Sequence, residues 1–292
     1  MCAAISRSEH LTKGGGPVCW SDGAARIAVS ADQGRTRLRD LYQSDPCRVL
    51  FPRPAAGAPF EGIVVTTSGG IVGGDRIAIR VEAGDSSVAT ITTQAAEKIY
   101  RSAGPDSCLA IELTIGSDGL LEWMPQETIL FDGALLRRTT TIDAAPGSRL
   151  LCGEIIVFGR RARGEKFTHG FLHDSWRVTE GGRLIWADAL HLADDIDAIM
   201  NRASSFDGAA ALGTLVYRAD DAGRHLDDVR AILQDSRDDR CIAAATCLDS
   251  LLIMRFLGTD AAATRGAVAD FWSGFRSTVL NLPANLPTVW KT

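Results

Sequence analysis

From about Ile63 to Tyr217 the chain alternates apolar and polar positions in short runs, which is the period of strands with one buried face. Ile77, Ile79 and Val81 alternate with Arg76, Arg80 and Glu82, and Leu109, Ile111, Leu113 and Ile115 alternate with polar or small residues. Leu120 to Met124, Leu136 to Ile142, Leu150 to Phe158 and Trp176 to Val178 continue the series. Gly116-Ser-Asp-Gly119, Asp132-Gly133, Ala145-Pro-Gly147, Gly159 and Glu180-Gly-Gly182 break it. Strands at such short intervals predict an all-β layered or solenoid-like body, not alternating β-α units. Helical spacing appears late. Leu226, Val229, Ile232 and Leu233 share one helical face, and Val268, Phe271, Trp272, Phe275 and Val279 form a stronger stripe behind a cap at Asp260. Core packing is the expected fate of that stripe. Between the two helices, Ala244 to Leu257 reads as two strands turning near Asp249-Ser250. No internal repeat is visible.

The segment Thr66 to Ser102 combines a four-glycine turn, an amphipathic strand and a block of small and polar residues. Gly69, Gly70, Gly73 and Gly74 flank Ile71 and Val72, so backbone there can take positive φ or approach another strand closely. The glycines are paired and open a strand, which excludes the G-x-G-x-x-G dinucleotide fingerprint. A second stretch, Gly159 to Lys166, has the glycine spacing of a P-loop but carries Glu165 in place of the lysine and no Ser or Thr directly after it. No nucleotide chemistry is expected. In Thr92-Thr-Gln-Ala-Ala-Glu-Lys98 a strand would bury Ala95 and turn Gln94 inward, with Lys98 neutralising Glu97 or Asp75.

Composition is globular: 292 residues, 46% hydrophobic and 23% charged, with a net charge of −5. That charge gives no electrostatic case for nucleic acid or an anionic membrane. No apolar run suits a membrane span or signal peptide, so a cytoplasmic protein is expected. Seven cysteines without a CxxC pair argue against a disulfide framework or a structural zinc site. His169 and His173 lack the glutamate of a zinc protease and read as polar positions on a strand.

Three carboxylates sit beside or inside apolar runs: Asp75 at the glycine turn, Glu154 within Leu150 to Val157, and Asp188 within Leu184 to Leu190. Each needs a partner or water. A nearby arginine (Arg76, Arg160 or Arg183), exposure on a strand's outer side, or a functional role all satisfy that need. Glu127 and Glu154 as paired acids would be the basis of an enzyme, although no substrate-binding signature accompanies them.

Four motifs carry a family likeness: Ser68-Gly-Gly-Ile-Val-Gly-Gly-Asp75; Thr92 to Lys98 with Tyr100-Arg101-Ser102; Trp123-Met-Pro-Gln-Glu-Thr-Ile-Leu-Phe131; and Gly153-Glu154 leading to Phe158-Gly-Arg160 and Ala162-Arg-Gly-Glu165. In these, and in the closing Leu286-Pro-Thr-Val-Trp290, the chain resembles the urease accessory proteins of the UreD family, called UreH in some bacteria. It departs from them at Glu97, where many members carry a small residue. The resemblance implies a mainly β fold, a two-layered β-helical body with a few helices mostly toward the C-terminus, as a single domain over 21–292 behind a variable tail at 1–20. It implies a non-catalytic protein that helps assemble the nickel metallocentre of urease, with UreF, the GTPase UreG and apo-urease as partners and a dimer within the accessory complex. Nickel would be in transit and not tightly bound, and Asp75, Glu154 and Asp188 are the candidate residues of its path. A structural adaptor that never touches nickel is the alternative. The C-terminal Leu286 to Thr292 is the expected contact for UreF.

Overall fold

The computed structural model describes residues 21–53, 57–235 and 238–291, so the expected tail at 1–20 lies outside the described residues. In chain order the first strands are β1 (Asp22–Asp32), β2 (Arg35–Ser44), β3 (Cys47–Leu50), β4 (Phe60–Thr66), β5 (Arg76–Ala83), β6 (Val88–Thr93) and β7 (Glu97–Ile99). Then come β8 (Ser107–Ile115), β9 (Leu120–Met124), β10 (Thr128–Leu130), β11 (Leu135–Ala144), β12 (Arg149–Phe158), β13 (Phe171–Glu180) and β14 (Arg183–Leu192). The short helix α1 (Ile196–Asn201) precedes β15 (Ala211–Arg218), α2 (Leu226–Asp235), β16 (Cys241–Leu248), β17 (Leu251–Gly258) and α3 (Ala261–Thr278).

Two sheets result. One is 7-stranded in the order β14-β13-β11-β8-β5-β1-β2; the other is 10-stranded and runs β16-β17-β15-β12-β9-β6-β4-β3, with β10 beside β12 and β7 beside β10. From β5 to β10 the chain circulates between them: β5 lies in the first sheet, β6 in the second and β7 on a third side, and β8, β9 and β10 repeat the circuit. Successive circuits pair in parallel, with Arg76 opposite Cys108, Val88 opposite Leu120 and Thr128 opposite Glu97. The expected mainly β, solenoid-like body is therefore present. Its repeat is one of backbone and burial only. On the third side Ile71, Ile99, Leu130 and Phe158 stack one per circuit, all buried, within otherwise dissimilar sequences.

Two apolar layers hold the body. Leu150, Cys152, Ile156 and Phe158 of β12 face Leu136, Ile142, Leu172 and Val178 of the 7-stranded sheet, while Leu151, Ile155 and Val157 face outward and meet α3. A strand buried on both faces reads as a near-continuous apolar run, as β12 does around Gly153 and Glu154. The α3 stripe is core, with Val268, Phe271, Trp272 and Phe275 fully buried, and the helix starts at Asp260, whose carboxylate accepts from the Ala263 N–H at 2.8 Å.

Several expectations change. Strands begin at Asp22, not near Ile63, because Ala25, Ile27 and Val29 alternate inward. Gln94 and Ala95 are both exposed, and Ala95 takes φ +62, so they form a turn after β6 and not an inward-facing strand. His169 precedes β13 in a loop, while His173 lies on the strand.

Candidate functional site

A band of polar side chains crosses the space between the sheets. Strand alternation puts Arg138 in line with Leu136, Thr140 and Ile142 of β11, Asp174 between Leu172 and Trp176 of β13, and Glu154 between Cys152 and Ile156 of β12. All three face inward and are at least nine-tenths buried. The Arg138 guanidinium holds Asp174 through two hydrogen bonds of 2.9 and 2.7 Å, donates to Thr128 Oγ1 at 3.0 Å, and forms an ion pair with Glu154. The Trp176 indole N–H donates to Glu154 at 3.3 Å.

The band continues sideways. Glu154 stands opposite Thr214 on β15, and Thr214 stands opposite Arg255 on β17. Arg255 donates to Thr214 Oγ1 at 2.8 Å and is paired with Asp188, which reaches across from β14. Asp188 itself stands opposite Trp176. The side chains of Asp188 and Arg255 are 36% and 40% exposed, so the band runs from a wet sheet edge into a dry interior.

Burial and the neighbouring charges set the protonation of the dry end. Burial pushes Glu154 well above the usual carboxylate range, and the negative charge of Asp174 adds to that, with Arg138 opposing. Burial also works to raise Asp174, but the charge and hydrogen bonds of Arg138 outweigh it and leave its carboxyl lowered. Of the two acids Glu154 is therefore the one more disposed to hold a proton. A second buried acid, Glu122 on the outer face of β9, is raised by burial and held by Arg276 at 3.0 Å, the Trp272 N–H at 2.6 Å and Thr90 at 2.5 Å.

The four sequence motifs meet elsewhere, on the third side. Tyr100, Phe131 and Gly159 follow the stacked Ile99, Leu130 and Phe158, so equivalent positions of successive circuits converge. Tyr100 packs edge-on to Phe131 at 4.8 Å, the Arg160 guanidinium lies over the same ring at 4.1 Å, and Arg160 is paired with Glu165. Asp132 accepts from the Thr168 N–H and hydroxyl and pairs with His169 at 3.0 Å. Together Tyr100, Arg101, Phe131, Asp132, Arg160 and Glu165 line a cleft of about 380 Å³. The glycines are required here: a Cβ at Gly73 would stand 1.9 Å from Ser102 Oγ, and Gly70, at φ +146, lies against Tyr100. The P-loop-like stretch is a short 3-10 turn, Arg161–Arg163, closed by the Arg160–Glu165 pair.

The candidate acids therefore separate. Glu154 and Asp188 share the band, whereas both Asp75 oxygens accept backbone N–H groups, from Ser21 at 2.7 Å and Val72 at 2.9 Å, and brace the glycine turn. Their arginine partners are not the sequence neighbours Arg76, Arg160 and Arg183 but Arg138 and Arg255. Glu127 pairs with Arg265 of α3 at 3.1 Å, on the opposite side of the 10-stranded sheet from Glu154, so no two-acid site forms from them. Glu97 accepts from the Thr66 hydroxyl at 2.7 Å. The C-terminal Trp290 is buried, donating to Thr92 Oγ1 at 2.9 Å. Sequence reasoning missed Arg138, Asp174, Glu122 and Arg276. The signal was available for three of them, as charged residues in phase with the buried set of a strand. Among the described residues no group of three or more His, Cys, Asp or Glu side chains is arranged to hold a metal ion, and no helix is long and apolar enough to cross a membrane.

The family profile described as "UreD urease accessory protein" matches residues 21–291. A protein of Magnetococcus marinus named urease accessory protein UreD is 41% identical over 270 residues, covering 92% of this chain and 93% of its own. Proteins of the same name from a Methylobacterium species and from Brucella suis are 42% and 36% identical over 275 residues each, covering 91% and 94% of this chain and 94% and 96% of their own.

Proposed function

The chain belongs to the UreD family of urease accessory proteins, and from that premise we propose that it acts in the cytoplasm as a scaffold and nickel conduit, joining apo-urease to UreF and the GTPase UreG. The observation that carries the conduit is the polar band from half-exposed Asp188 and Arg255, past Thr214, to Glu154 and Asp174. Ionisable groups are costly between two apolar sheets, so a continuous line of them from edge to interior calls for a use. Ni²⁺ accepts carboxylate and hydroxyl ligands. An ion entering the band would displace a guanidinium from each carboxylate in turn, and Glu154 would give up any proton it holds as the ion arrives. Several weak sites in series let cargo leave as well as enter. Energy has to come from the GTPase partner, since Glu165 and Lys166 occupy the positions a P-loop reserves for Lys and for Ser or Thr.

One feature favours the adaptor reading: Arg138 already holds both inner acids and Arg255 holds Asp188, as a purely structural band would require. Urease activation at limiting nickel separates the two. Glu154→Ala and Asp188→Ala should each activate partially, recover with excess nickel, and still assemble with UreF, UreG and apo-urease. Asp75→Ala, the third path candidate, also removes the acceptor for two backbone donors, so it is read only after assembly has been verified. Wild-type activation in the assembled variants would leave the adaptor.

A further inference from the structure

We propose that His173 and His191 form a second, surface site for a divalent transition-metal ion, on the outer face of the 7-stranded sheet. The two residues stand directly opposite each other on the antiparallel strands β13 and β14. Directly opposed residues project from the same face. Here that face is the outer one, because Leu172 and Leu192, next in each strand, are buried inward. The two rings already converge, with centres 5.6 Å apart and planes at 66°. Two imidazole nitrogens each about 2.1 Å from one ion set the ring centres roughly 5 Å apart, so small torsions of either side chain complete a chelate.

The surroundings hold the pair in place and leave its solvent side open. Phe171 packs edge-on against His191 at 5.4 Å and limits its rotation. Arg137, in register beside His173, has its charge engaged by other groups: it donates to Asp106 at 2.5 Å and lies over the Phe171 ring at 4.4 Å. The next opposed pair, Ser175 and Ala189, is small and leaves room for water to fill the remaining coordination positions. Imidazole suits Ni²⁺, Zn²⁺ and Cu²⁺, whereas Mg²⁺ and Ca²⁺ prefer oxygen donors, so the site selects by ligand type. Two protein ligands on rigid strands, open on the solvent side, give exchangeable binding suited to taking up an ion and passing it on. The pair is separate from the interior band, since Asp174 beside it points to the opposite face of the sheet.

The test titrates the untagged full-length chain with Ni²⁺ by calorimetry and with Zn²⁺ while following histidine ring resonances by NMR. The rings of His173 and His191 should respond together, and millimolar Mg²⁺ should not compete. Losing even a group that only orients a ligand costs roughly 10–100-fold in affinity, so His173→Ala or His191→Ala, which removes a ligand, should weaken binding at least roughly tenfold. Adding S175H and A189H to the doubly substituted chain moves the pair along the same face and should restore binding. Unchanged isotherms in both single variants, a response from one ring only, or displacement by Mg²⁺ would each overturn the proposal. Because binding is the readout, its failure leaves the activation test of the interior band untouched.

Discussion

Arg138 brings one positive charge to two carboxylates, so a net-neutral cluster requires one acid to hold a proton. Burial raises Glu154 and disposes it to be that acid, and Glu154→Gln mimics the shape and charge of its protonated form. We expect that substitution to cost under about 1 kcal/mol near neutral pH, while Arg138→Met, which strands Asp174, costs about 3–5 kcal/mol. The pH dependence follows from the same assignment. Glu154 is raised from about 4.5, so its contribution is fully present below that value and is lost as pH rises toward its folded pKa, by up to about 1.4 kcal/mol per pH unit. Asp174 is lowered from about 3.8, so its contribution is present above that value and is lost as pH falls through its folded pKa. Urea unfolding of the wild type and Glu154→Gln between about pH 5 and pH 8 should show the substituted chain gaining relative stability as pH rises. A constant difference would mean that Glu154 is ionised in the folded protein.

At the level of elements, close approach explains why the motifs are spaced as they are. Gly73 lets the glycine turn sit against Ser102 and Pro105, so Gly73→Ala forces backbone apart and should cost roughly 2 kcal/mol or more, read from thermal unfolding. Trp290 packs edge-on to Trp272 at 5.3 Å, and Trp290→Ala should cost about 3–5 kcal/mol. A deletion of Leu286 to Thr292 that abolished UreF binding would therefore first have to be shown to leave the fold intact. Single strands were legible because each keeps one apolar face, and β12 because from Leu150 to Phe158 only Gly153 and Glu154 interrupt its apolar run. The strands from Asp22 to Leu50 passed unread because small and charged residues dilute their alternation. The coils were not legible, since their pairing joins residues such as Thr90 and Glu122, 32 positions apart, with no side-chain repeat to mark it. Glu154 and Asp188 were legible as acids in apolar runs. Their connection was not, because Arg255 lies 67 positions from Asp188 and meets it only across the sheets.

The body as a whole ends in sheet edges of unlike character. β2 closes the 7-stranded sheet with Arg35, Arg37, Arg39 and Asp40, charges that discourage another strand from pairing there. β16 closes the 10-stranded sheet and carries no charged residue from Cys241 to Leu248, while Ile242 is 65% and Leu248 48% exposed. An uncharged, partly apolar edge is a template for further strand pairing. The isolated chain is therefore expected to self-associate through β16, and Ile242→Lys should suppress it, because a charge on the edge makes strand addition costly. Ile242 is mostly exposed, so the substitution should leave the melting temperature within about 0.5 kcal/mol equivalent of the wild type. Light scattering against concentration, with circular dichroism as the check on folding, decides the matter: equal scattering from a folded Ile242→Lys chain would place the self-association on another surface.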